Sequence, residues 1–390
     1  MHCVGALNLS ALLLILLALA GCKPADSSAD GDEPWTQPEG EFVKPPPSSE
    51  RRDIFEDEID AEDMPVQRGI LSTSQGRPHM HSTELQTAHW LFPDEYFVLD
   101  ARHGLFGYEE TRTMTMVVLI DFEPRPFRLV PVEAPDGYPS MEDVHSFSGP
   151  YATEATYELT PGKPFNYTLV IPPDSFGGTG AHDLRIVHLQ QFAPSGEARP
   201  KIDSLVKSRA MTVYYGGAEF DSGPPYSPDA PLVPIPNETT RHYLFSLHGV
   251  FLAPPEHLLD LDQLGHPSEA RLADVLETTD SQISVTGYAW GSNYPSEEGQ
   301  NYYLLFDNET PLTQQAHITT TEPQPSDVET DEPVVRQLDF EINLDDEQLH
   351  SLVLVQFPSP FERMDHLRSP IAASINSQVL FLQRTHPDVE

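Results

Sequence analysis

Two series of short apolar runs, in the same order in both halves of the chain, constrain this fold more than any other feature. Met116–Asp121 in the first half answers Tyr302–Asp307 in the second, and Phe165–Ile171 answers Leu338–Leu344. His182–Val187 likewise answers His350–Val355, and the step from His182 to Met211 equals that from His350 to Val379. A further likeness pairs His103-Gly104-Leu105-Phe106 with His248-Gly249-Val250-Phe251. Each run is rich in β-branched and aromatic residues and is bounded by Pro, Gly or Asp, which is how strands read in sequence. Phe340, Ile342 and Leu344 alternate with Asp339, Glu341 and Asn343, the period of two of a half-buried antiparallel strand. Leu352–Val355 is apolar on both faces, as in a central strand.

Strands at this spacing without intervening helices predict an all-β chain of two tandem immunoglobulin-like antiparallel β-sandwich domains. Residues 69–217 are assigned to the first and 237–390 to the second, and their shared order reads as a duplication. Between them, residues 218–236 carry six prolines from Pro224 to Pro236, which exclude helix and central strand and predict a linker. The second domain carries two insertions, 254–296 and 319–333. The first insertion includes an expected small helix, Ser268 to Glu277, with Ser268 as its N-cap.

The N-terminus speaks to location. Leu7 to Leu19 is Leu-rich, too short to span a bilayer, and ends in Leu19-Ala20-Gly21-Cys22. This tetrad resembles the lipobox of bacterial lipoproteins, although Met1, His2 and Cys3 lack the usual basic start. The resemblance implies cleavage after residue 21 and lipid attachment at Cys22, hence a membrane partner in the cell envelope. Lys23 after the cysteine implies the outer rather than the inner membrane. Residues 22–68, rich in Pro, Ser and acid, cannot bury enough apolar area to offset ordering entropy and are expected to form a disordered tether. Such a tether has an r.m.s. span of about 35–40 Å. With Cys3 removed and Cys22 acylated no disulfide can form, so stability must come from buried apolar surface.

Against 61 acidic residues stand 22 basic ones, only five of them lysines, giving a net charge of -39. Nucleic-acid binding is excluded, because phosphate contacts need clustered Lys and Arg. The acidity reads as solubility, adaptation to salt, or attraction of cations and basic partners.

Few residues suggest chemistry. His79, Met80 and His81, with Glu84 and His89, are the candidate metal ligands, since alternate strand residues share a face and imidazoles suit zinc or copper. Tyr288, Trp290 and Tyr294 are aromatic groups able to stack on sugars. His103 and His248, both before Gly, read as structural because the duplication would make them equivalent. Gly-x-Ser-x-Gly, Gly-x-x-x-x-Gly-Lys and His-Glu-x-x-His are absent from the sequence. The expectation is a non-enzymatic binding or scaffolding lipoprotein without a cofactor, its partner an envelope protein or glycan. Copper or zinc handling at His79, His81 and His89, and carbohydrate binding or cleavage, are the alternatives.

Overall fold

The computed structural model describes residues 69–77, 79–82, 86–133, 137–191, 206–220, 230–244, 249–261, 275–289, 300–319, 334–344, 348–358, 361 and 375–385. The first half contributes β1 (Gly69–Gly76), β2 (His81–Ser82), β3 (Ala88–Leu91), β4 (Phe97–Phe106), β5 (Arg112–Ile120) and β6 (Glu123–Pro124). It continues with β7 (Arg128–Val132), α1 (Met141–Ser146), β8 (Glu154–Leu159), β9 (Phe165–Ile171), β10 (Gly180–Gln190) and β11 (Val206–Phe220). The second half opens with β12 (Leu232–Pro234), α2 (Glu238–Tyr243), β13 (Val250–Ala253), β14 (Val275–Thr278), β15 (Gln282–Ala289) and β16 (Asn301–Asp307). It ends with β17 (Thr310–Pro311), β18 (His317–Thr319), β19 (Val334–Asn343), β20 (Leu349–Pro358), β21 (Ile375–Asn376) and β22 (Leu380–Arg384). No described helix is long and apolar enough to cross a membrane.

The fold is an all-β sandwich, built twice. In each half a four-stranded sheet faces a seven-stranded one: β1-β4-β9-β7 against β2-β3-β11-β10-β5-β6 with β8, then β12-β19-β15-β13 against β14-β22-β20-β16-β17 with β18 and β21. Inward side chains at alternate positions fill each sandwich, as the pleat requires. Leu99, Met116, Leu169, Ile186 and Met211 lie in the first core, and Val285, Leu305, Phe340, Leu354 and Leu380 in the second. The halves repeat unusual details. An otherwise antiparallel sheet closes on one parallel pair, β3 with β11 and β14 with β22. A histidine at the head of the central strand meets an aspartate at the neighbouring hairpin: His182 Nδ1 lies 2.8 Å from Asp121 and His350 Nδ1 2.9 Å from Asp307.

A third apolar cluster joins the two sandwiches. Val117 and Leu119 of β5 and Val187 and Leu189 of β10 pack on Tyr302, Leu304, Val353, Val355 and Phe357 from β16 and β20. The two seven-stranded sheets therefore mate face to face. This is why β10 and β20 are buried along their whole length, on both faces. Phe122, in the β5–β6 turn at φ 63°, stacks on Tyr302 with centroids 3.8 Å apart. Asp183 and Arg185 also face this junction: Arg185 Nη2 donates to Asp183 Oδ2 at 2.8 Å and to the Pro358 carbonyl at 3.3 Å. The Phe361 amide donates to Asp183 Oδ2 at 2.8 Å from the other sandwich.

Short helices cover part of the outer faces. Ser140 and Asp143 form a capping box that starts α1, and α1 buries Val144 against Val98 and Val170. On the far side Leu244, which follows α2, joins Phe251, Ala253, Leu261 and Val335. Gly287 on β15 marks a close approach between the sheets of the second sandwich, since a Cβ there would lie 2.5 Å from Leu354 Cδ2. Gly287→Ala is expected to cost about 1–3 kcal/mol by overpacking, measured by urea unfolding.

Several sequence expectations need correction. Residues 275–277, the end of the expected Ser268–Glu277 helix, belong to β14, because Val275–Thr278 pair with Phe381–Arg384; residues 268–274 lie outside the described residues. The span 254–296 is not insertion throughout, since β14 and β15 within it are sandwich strands. At the expected linker 218–236, β11 runs on to Phe220, and Leu232–Pro234 pair with Val334–Arg336 as an edge strand, where prolines are tolerated. The two His-Gly pairs are not equivalent. His103 sits in β4, an inner strand between β1 and β9, whereas Val250 opens β13, an edge strand beside β15. Register also slips by one in the hairpin match: Asp121 and Asn308, not Asp307, each accept the backbone N–H of the residue after the paired histidine.

Candidate functional site

The sequence-predicted residues scatter. Cys22, Glu84, His248, Trp290, Tyr294 and the loop 320–333 lie outside the described residues. His79 donates from Nε2 to the Tyr96 carbonyl at 2.7 Å. In the β2–β3 ribbon His81 pairs with Trp90 and Ser82 with His89, so His81 and His89 lie on opposite faces. His81 leans on Trp90, which stacks on Tyr214, while His89 is fully buried against Phe97 with its Nδ1 2.7 Å from Ser82 Oγ. Burial, aided by Arg209, pushes the His89 imidazole down to about 3, so it is neutral at physiological pH. Among the described residues no three His, Cys, Asp or Glu side chains converge on a common point. Tyr288 packs in the outer apolar layer beside Phe251, its register partner, and burial raises its phenol.

A different cluster does converge, inside one end of the first sandwich. His103 from β4, Tyr157 from β8, Tyr167 from β9 and His188 from β10 all point between the sheets. Their strands put Leu99, Ala101 and Leu105, or Leu184 and Ile186, at the other inward positions. Tyr167 OH lies 3.0 Å from His103 Nε2, His103 Nδ1 3.3 Å from Tyr157 OH, and Tyr157 OH 2.9 Å from His188 Nδ1. The two imidazoles meet edge to face at 4.4 Å, and Phe165 stacks on Tyr157 at 4.6 Å. Such a chain has two self-consistent polarities. With Tyr167 donating, the donors run Tyr167, His103, Tyr157, leaving the last N–H on His188 Nε2. Reversed, they run from His188 Nδ1 to Tyr167, whose hydroxyl hydrogen is then free.

Both histidines are neutral. Burial takes His188 down to about 3, with Lys207 adding to the shift, and holds His103 well below the ordinary imidazole range with help from His188, Lys207 and Arg209. Burial raises both tyrosines.

Two cations border this network. Lys207 and Arg209 alternate with Met211, Val213 and Tyr215 along β11, which sets them on the same inward face. Lys207 sits in register with His188, and Arg209 with Ile186. Lys207 Nζ donates to the Ile70 carbonyl at 2.8 Å. Arg209 donates to Ser74 Oγ and, at 3.1 Å, to the Gln86 carbonyl. These partners are neutral, and among the described residues neither cation meets a carboxylate. Burial takes Lys207 down to about 8 and Arg209 to about 10, and Arg209 also pushes Lys207 down. Both keep partial exposure, whereas the imidazoles and phenols are buried.

No family model matches the chain, and no curated protein sequence matches it. Among solved structures, AvmM, which catalyses macrocyclization in alchivemycin A biosynthesis, is 10% identical over 40% of this chain and 92% of its own, at a TM-score of 0.22. Trypsin-activated α2-macroglobulin from Escherichia coli is 7% identical over 82% of this chain, which spans only 17% of that protein, at 0.20. The two tandem V-type regions of VCBP3, a v-region-containing chitin-binding protein, are 7% identical over 81% of this chain and 99% of theirs, at 0.19. Likeness at that level carries no argument about this chain.

Proposed function

We propose that this chain is a lipid-anchored, non-enzymatic binding or scaffolding module of the bacterial cell envelope, held at Cys22 on an acidic tether. The observation that carries this reading is the mating of the two seven-stranded sheets through a continuous apolar layer. A tether joined to two mutually braced sandwiches presents loops and sheet edges at a fixed separation, which suits recognition or spacing. The immunoglobulin-like character of each sandwich belongs to the same reading, as does outer-membrane residence through Lys23.

The test is direct. Palmitate labelling of the full chain in a Gram-negative host is expected to mark the wild type and not Cys22→Ser, which should leave the membrane fraction. Label retained by Cys22→Ser, or none on the wild type, contradicts the anchor. Pull-down of envelope components by the anchored protein, without turnover of them, is the outcome expected for a binding module.

A further inference from the structure

We propose that the polar end of the first sandwich binds a carboxylate group, held by Lys207 and Arg209 beside the buried His103, Tyr157, Tyr167 and His188. The inference concerns this end of the sandwich alone and does not depend on the lipid anchor.

The first argument is economy of charge. The chain has 22 basic residues against 61 acidic ones. It nonetheless places two cations two residues apart on one inward strand face, about 7 Å from each other by strand geometry. Their partners are the Ile70 and Gln86 carbonyls and the Ser74 hydroxyl. Among the described residues no carboxylate meets either charge, and like charges partly removed from water without a counter-ion are costly. A bound anion removes the cost.

The second argument is the chemistry of the cluster. A guanidinium presents a planar fork that suits a planar pair of oxygens, and an ammonium adds a point charge. The tyrosine–histidine chain supplies an adjustable donor. In the polarity running from His188 to Tyr167, the Tyr167 hydroxyl hydrogen is released from His103 and is available to an anion on the inward face that Arg209 shares. A resident metal fits less well. Met116 lies in register with His188 and would be a third soft donor beside the two imidazoles, but Lys207 and Arg209 repel any cation brought there.

The test uses the full chain in detergent at pH 7, with succinate as the probe, sodium chloride at matched ionic strength as the control, and calorimetric titration plus thermal unfolding as readouts. Succinate is expected to bind saturably and to raise the unfolding midpoint beyond chloride. Lys207→Met and Arg209→Lys, the latter keeping charge but losing the fork, are each expected to weaken binding at least tenfold, while the turn variant Lys163→Met leaves it unchanged. Lys207→Met removes a charge that no described carboxylate meets and is expected to be at least as stable as wild type without ligand. Responses equal to chloride, full binding by both the Lys207 and Arg209 variants, or inorganic phosphate binding in preference to succinate would overturn the proposal. So would tight copper(I) binding that His188→Gln abolishes.

Discussion

Lowering the pH from 7 to 5.5 is expected to destabilise the protein by about 4 kcal/mol, well before its carboxylates titrate. The effect comes from His89, His103 and His188, all buried in their neutral forms. Burial depresses each imidazole in the folded state, to about 3 for His89 and His188. In the unfolded chain each titrates near 6.5, so below that value the unfolded state binds protons that the folded state refuses. Stability is therefore intact above about pH 6.5 and falls as pH drops through it, at up to about 1.4 kcal/mol per pH unit for each histidine. Exposed carboxylates pull the other way only nearer pH 4, where their protonation relieves the self-repulsion of a chain at -39. Urea unfolding at half-unit pH steps measures the slope. Three protons taken up on unfolding is the expected limit, and His188→Gln, whose amide can still reach Tyr157, should lower it by one. A flat profile from pH 7 to 5.5 would contradict neutral burial.

Asp183→Ala is expected to cost about 3–5 kcal/mol, because it takes the Asp183 carboxylate from the fully buried Arg185 guanidinium. The pair is more than an ion pair within β10. Arg185 reaches the Pro358 carbonyl and lies over Phe122 and Phe357, and Asp183 accepts the Phe361 amide, so both halves of the chain hold it. Replacing both charges with apolar groups of similar volume, Asp183→Leu with Arg185→Met, is expected to be neutral or stabilising by about 1–4 kcal/mol, since two desolvated charges are then avoided. The double-mutant cycle in urea therefore separates the penalty for breaking the pair from a true gain by the pair. An Asp183→Ala variant as stable as wild type would mean that the junction opens in solution and that water reaches Arg185.

Alternation of apolar and polar residues made the strands legible, as in Phe340, Ile342 and Leu344, all inward and fully buried. The doubling was legible because the β5, β9 and β10 runs have counterparts in order. What alternation does not encode is a second partner for a sheet. Val117, Leu119, Val187 and Leu189 read as central-strand residues, and nothing local says that their outer face meets another sandwich. Where local propensity conflicted with pairing, pairing won: residues 275–277 end the helix-like pattern but, with Thr278, add to β22 as a strand. Equivalence by dipeptide also misled, since His-Gly recurs on an inner strand and beside an edge strand. The candidate site was half visible. His188 follows Leu184 and Ile186 in the inward slots, and Lys207 and Arg209 precede Met211 and Val213 in theirs. That was the signal: titratable groups continuing a core face. The convergence of four strands on one end is a property of tertiary register that no single run contains.

Calorimetric unfolding of the full chain tests the face-to-face mating of the two sandwiches most directly. One cooperative transition, with calorimetric and van't Hoff enthalpies equal and its midpoint shifted as a whole by Asp183→Ala, is the result predicted here. Two separable transitions, only one of them moved by that substitution, would contradict it.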